Sequence, residues 1–254
     1  MIITDPYFYL CAIPAVILVG LAKGGFGGSM GIVGVPLMAL AISPVTAAGI
    51  LLPILVFMDW IGLFAWRGTF DRRVLVTMLP AALVGVAVGY TTAALIPETG
   101  VELVIGLLAV WFVLEWFFVL RHRTEEKPQS TPRGMFWGAI TGFTSFVGHA
   151  GGPPFQVYVL PLRLAPTLFV GTSVILFTTI NASKLLPYYL LGQLSTENLL
   201  TSAVLLPLAL VATLAGVWLV KRIDPKRFYA LTYSLLILVG LKLAYDGAAG
   251  LGLW

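Results

Sequence analysis

The residues able to do chemistry in this chain are few, and they lie in apolar surroundings. Lys23 precedes the stretch GGFGGSMGIVG (24–34), six glycines in eleven positions, and His149 sits in a second glycine cluster, GHAGGPP (148–154). Asp59 lies in FMDWIG, Asn181 and Lys184 lie in INASK, and Gln156 follows the second cluster. Ionisable groups within spans are costly and mark ion or substrate pathways. Asn181 and Lys184, three residues apart, share one helix face. A histidine can bind an anion or shuttle a proton near neutral pH. Three bases against one carboxylate describe a site for an anion. Two histidines and one cysteine, without HExxH or GxSxG, supply neither a metal set nor a nucleophile dyad. An enzyme, a metal centre and a resident cofactor are therefore not expected.

The glycines admit two readings. A backbone broken inside a membrane is tolerated where it lines a cavity or is buried in protein. Helix N-termini at such a break aim free N–H groups at an anion. On that reading Gly24, Gly25, Gly27, Gly28, Gly148, Gly151 and Gly152 join Lys23, His149, Gln156, Asn181 and Lys184 in substrate binding, while Asp59 and His149 are candidates for proton coupling. The two breaks would meet near the midplane, each opening a half-helix. The other reading is close packing, because Gly20, Gly24 and Gly28 also follow the small-xxx-small pattern of helix contacts. For Asp59, a structural ion pair with Lys23 is the plain alternative.

The elements that hold these residues must lie in a bilayer. Of 254 residues, 59% are hydrophobic and 10% charged, against about 25% charged in soluble domains. Mean hydropathy is +0.98. The net charge of +4 forms no patch on a hydrophilic domain, which argues against nucleic acid. A hydrocarbon core of about 30 Å needs roughly 20 apolar residues in helix. Six stretches suffice: 46–66, 74–96, 101–120, 168–190, 198–220 and 228–246. Two more, 7–42 and 134–164, are apolar but broken, with half-segments of about 13 to 17 residues that are short for a span.

A hydrophilic linker, 121–133, divides the chain into repeats 1–120 and 134–254. Offsets of roughly 122 to 127 residues pair Gly27-Gly28 with Gly151-Gly152, Asp59 with Asn181, Pro80 with Pro207 and Gly89 with Gly216. Lys and Arg concentrate in cytoplasmic loops. Arg67, Arg72, Arg73, Arg121, Arg123, Lys127, Arg133, Arg163, Lys221, Arg222, Lys226 and Arg227 fall on one side only if the halves have opposite topology; the loops IPETG and QLSTEN then carry no base. The fold class expected is an all-α polytopic membrane protein, an inverted repeat of two halves. Each half is a Gly/Pro-broken re-entrant segment, or one crossing twice, followed by three transmembrane helices. Both termini fall outside, and inverted repeats of this kind build many secondary transporters.

LAKGGFGGSMGIVGVPLMAL, its weaker second copy FVGHAGGPPFQVYVLPLRL and the matched halves resemble the sulfite exporter TauE/SafE family of bacterial membrane transporters. That resemblance covers essentially the whole chain and implies export of sulfite or a small organosulfonate across the inner membrane, with a small anion as substrate and protons as a candidate co-substrate. The second copy departs from the first at His149 and Pro153-Pro154. An anion-selective channel is the alternative function, and the oligomeric state is left open.

Overall fold

A computed structural model describes residues 2–25, 31–93, 95–118, 127–219 and 225–253. All the regular elements among them are helical: α1 (Pro6–Gly25), α2 (Gly34–Met38), α3 (Pro44–Ala65), α4 (Arg72–Ala93), α5 (Glu98–Phe118), α6 (Thr131–Gly148), α7 (Gly152–Val159), α8 (Pro166–Leu190), α9 (Thr196–Leu219) and α10 (Pro225–Gly250), with short 3-10 turns at Gly31–Val33 and Leu160–Leu162. Local sequence explains several starts. Ser43 accepts from the backbone N–H of Thr46, with Pro44 opening α3. Asp71 Oδ1 accepts from the Val74 N–H at 2.8 Å, and Ser195 Oγ from the Asn198 N–H at 3.2 Å. Each satisfies an orphan donor of a helix start.

Among the described residues, six helices are long and apolar enough to cross a membrane: Pro6–Gly24, Pro44–Ala65, Arg72–Ala93, Glu98–Phe118, Pro166–Leu190 and Thr196–Leu219. They carry large apolar side chains outward, such as Trp60, Phe64, Val84, Leu107 and Val211, as helices facing lipid rather than water do. Five of the six expected spans correspond to these helices, and 228–246 lies within α10. The span expected to run to residue 96 ends earlier, because Leu95 and Ile96 are in a turn.

The broken segments differ from expectation. Instead of two half-helices, each contains one long helix and a short return. Helix α1 has 20 residues and α6 has 18, whereas α2 has five and α7 eight. Helix α1 begins next to α9, where the Ile3 N–H donates to Thr201 Oγ1, and ends where Trp66 Nε1 donates to the Gly24 carbonyl. Gly34, on the way back, lies against Val19 and Leu51. Helix α7 likewise runs back along α6, so that the Tyr158 hydroxyl donates to the Ser130 carbonyl.

Packing between helices is dominated by α1 with α9, α4 with α6, and α5 with α10, followed by α3 with α9, α3 with α8 and α4 with α8. Exchanging the two halves turns α1·α9 into α6·α4, and α3·α9 into α8·α4, while α3·α8 and α5·α10 map onto themselves. The contacts between α1 and α9 and between α4 and α6 are glycine contacts. A Cβ on Gly24 would lie 2.3 Å from the Thr213 carbonyl oxygen, and one on Gly142 1.8 Å from the Ala82 carbonyl oxygen. Only a missing side chain allows backbones that close.

Candidate functional site

The polar residues singled out in the sequence converge on the crossing of α3 and α8. Lys23, in the last turn of α1, forms an ion pair with Asp59 Oδ1. Asn181 Nδ2 donates to the other carboxylate oxygen, Asp59 Oδ2, at 2.7 Å. Asp59 on α3 and Asn181 on α8 are thus hydrogen-bonded partners, and the two helices meet between them.

One turn further along α8, Lys184 is wholly buried. Its Nζ donates to the Ser145 carbonyl at 2.9 Å and to Ser145 Oγ at 3.1 Å, and lies 2.7 Å from His149 Nδ1. These are three acceptors for the three N–H groups of an ammonium. His149 Nε2 lies 3.0 Å from the Ala48 carbonyl. A carbonyl can only accept, so Nε2 carries a proton; with Lys184 as an ammonium, Nδ1 accepts from it and the ring is neutral. His149 caps α6 at φ 54° and ψ 25°, a left-handed conformation uncommon for residues with a side chain. Its ring stacks on Tyr188 at 6.0 Å, and the Tyr188 hydroxyl donates to the Phe146 carbonyl at 2.6 Å.

An offset of 122 residues, the separation of Asp59 and Asn181, also pairs Lys23 with Ser145 and Gly62 with Lys184. In the first half the lysine comes from the first helix and faces a glycine position on α3. In the second half the lysine comes from α8 and reaches the serine on α6. The two lysines therefore reach this region by different chain routes. Ser145, Ala48 and Tyr188 were missed in the sequence; the offset that pairs Asp59 with Asn181 would have exposed Ser145.

The two broken segments are anchored on α3 through different residues. The Gly24 carbonyl is held by Trp66, just beyond the end of α3, whereas His149 is held by Ala48 near its start. Eighteen residues of helix separate those anchors, about 27 Å. Helix α2 is too short to present a useful N-terminal dipole. Two first-turn donors of α7 are absent, because Pro153 and Pro154 have no N–H. Positive charge at this site therefore comes from side chains. Gly24 is packed against α9, Gly25 closes α1, and Gly27 and Gly28 lie outside the described residues. Gly148 sits against Ile105, and Gly151 against Thr141, Ser145 and Phe177. Gly152 and Gln156 are buried on α7.

Two cavities flank the cluster. A void lined by Lys23, Asp59, Gly62, Ser173 and Phe177 measures about 10 Å³, room for about one water. The other, about 240 Å³, is bordered by Ala48, Phe143, Phe146, Tyr188, Glu98 and Gln193. Ala48, Phe146 and Tyr188 form its wall toward His149 and Lys184.

A buried cluster of polar and ionisable side chains thus lies between long apolar helices. A family profile, Sulfite exporter TauE/SafE, matches residues 12–243. The chain belongs to the TauE/SafE family. Members are membrane transporters of sulfite or related anions rather than enzymes. Comparison with curated proteins and with solved structures found no match. The family match spans both lysines, both breaks and the α3–α8 crossing, so the whole cluster lies inside it.

Proposed function

We propose that this TauE/SafE protein is a secondary transporter that exports a small anion, sulfite or an organosulfonate, by alternating access around the α3–α8 crossing. The observation that carries this reading is Lys184: fully buried, bonded to Ser145 and His149, and with no carboxylate partner among the described ion pairs. An uncompensated buried cation is costly, and an anionic substrate is the natural counter-charge. Lys23 is the second cation, held in its ion pair with Asp59. Asp59 and His149 are the candidates for proton coupling.

Alternating access is supported by the way the cluster is sealed. The void at Lys23 holds about one water, and Tyr188, Ala48 and Phe146 stand between the larger cavity and Lys184. A channel would need a continuous polar path through the same region.

The opposite-topology reading is supported by how the loops group. Thr172 Oγ1 accepts from the Asp71 N–H, Gln129 Nε2 donates to Asp71 Oδ2, and the Lys127 N–H donates to the Pro161 carbonyl. These bonds gather segments 67–73, 127–133 and 161–172, with their arginines and lysines, at one end of the bundle. Gln193 and Glu98, from the two base-free loop regions, border one cavity at the other end. Ile3 lies there against Thr201, and Gly250 against Thr99. Both termini are therefore assigned to the outer side of a bacterial inner membrane.

The test is flux of labelled sulfite, sulfate, thiosulfate and sulfoacetate in proteoliposomes, for wild type, Lys184→Met and Lys23→Ala. Saturable, trans-stimulated flux that folded Lys184→Met loses at least tenfold is the expected result. Non-saturating flux would indicate a channel, and unchanged flux in both variants would remove the cluster from the pathway.

A further inference from the structure

With Lys184 as an ammonium, the four buried ionisable side chains at the α3–α8 crossing have a definite charge balance. Lys23 and Asp59 cancel as a pair. His149 is neutral, because one ring nitrogen faces a carbonyl and the other faces the Lys184 ammonium. Lys184 is held by dipoles, the Ser145 carbonyl, Ser145 Oγ and His149 Nδ1, and among the described residues no carboxylate pairs with it. Asn181, where the repeat counterpart carries Asp59, adds a hydrogen bond but no charge.

From this we infer that the site selects a monovalent anion, such as hydrogen sulfite or an organosulfonate whose only charge is its sulfonate, over divalent anions of similar size. This rests on the transporter reading above and names the charge class of its substrate. One negative charge brings the buried cluster to neutrality. A second leaves it negative in a region where an unpaired charge is strongly disfavoured. Asp59 is the residue that sets this count, since it removes one of the two cations from the substrate's reach.

An electrical consequence separates this from simple size selection. With a monovalent anion bound, the loaded site crosses the membrane neutral, and the empty site crosses with one positive charge. Membrane potential acts on charge moved through it. Exchange of anion for anion, which uses only the loaded form, is therefore indifferent to voltage. Net export, which needs return of the empty site, is accelerated by an inside-negative potential.

Isethionate and sulfoacetate make the test, being alike in size and differing by one charge. Both are measured in proteoliposomes of the full chain with a potassium-diffusion potential. Isethionate should be preferred at least tenfold in flux at low concentration, with voltage-independent exchange and voltage-dependent net efflux. Asp59→Asn, which keeps a partner for Asn181, should shift preference at least tenfold toward sulfoacetate. Preference for sulfoacetate in the wild type, or exchange that follows voltage, overturns the inference while leaving a small-anion transporter in place. If Asp59→Asn does not fold, the wild-type voltage measurement decides alone. Absence of flux for every oxyanion tested overturns the transporter reading itself, and the inference with it.

Discussion

His149 holds a left-handed backbone conformation at the end of α6, where a glycine would sit without steric cost. Keeping a side chain there costs on the order of 1–3 kcal/mol, and the return is a ring that ties α6 to Lys184 on α8 and to Ala48 on α3. His149→Gly relieves the backbone and deletes both ring bonds, so the protein should remain folded in detergent while saturable flux falls at least tenfold. Thermal unfolding alongside flux checks this: unchanged transport would make the ring dispensable. Lys23 and Lys184 should also differ in response. Removing Lys23 strands the Asp59 carboxylate in the interior, and losing one partner of a buried pair typically costs about 3–5 kcal/mol. Removing Lys184 strands no charge. Lys23→Ala should therefore lower the unfolding temperature more than Lys184→Met does.

At the scale of elements, the fold depends on backbone contact between the halves. Gly142 faces the Ala82 carbonyl, and Gly24 faces the Thr213 carbonyl and Val217. A methyl group at Gly142 would come within 1.8 Å of backbone, and backbone cannot move aside as a flexible side chain can. Overpacking of this kind costs about 1–3 kcal/mol. Gly142→Ala should lower the unfolding temperature, whereas Gly31→Ala, where nothing lies within 4 Å, should leave it nearly unchanged. Equal effects of the two substitutions would sink this account. The short return helices follow from composition: the glycine runs favour turns, and the paired prolines allow a helix to start at Gly152 but remove its first donors. Close packing, one of the two readings open for the glycines, describes Gly24. The same contact carries Lys23 to the crossing on the last turn of α1.

At the scale of the whole molecule, the grouping of basic loops at one end gives a labelling prediction. In a Cys11→Ala background, cysteines at Glu197 and Glu98 should react with an impermeant maleimide added to intact cells, and one at Arg73 only after permeabilisation. The reverse pattern would invert the assigned orientation.

Composition alone placed the chain in a bilayer, because no soluble core could hide this much apolar sequence. The offset between halves and the one-sided distribution of bases are what the expected repeat rests on, and among the few polar residues within the spans are Lys23, Asp59, His149, Asn181 and Lys184, which the structure links by hydrogen bonds. These are properties of residue type and order, so they are legible without coordinates. The tertiary structure decided the rest. It showed that each broken segment holds one long helix, of 20 residues in the first and 18 in the second, packed against α9 and α4 respectively. It also showed which cation is already paired. Lys23 and Lys184 are equivalent as residue types, and only their neighbours across the crossing, a carboxylate for one and a serine with a neutral imidazole for the other, make them different in charge.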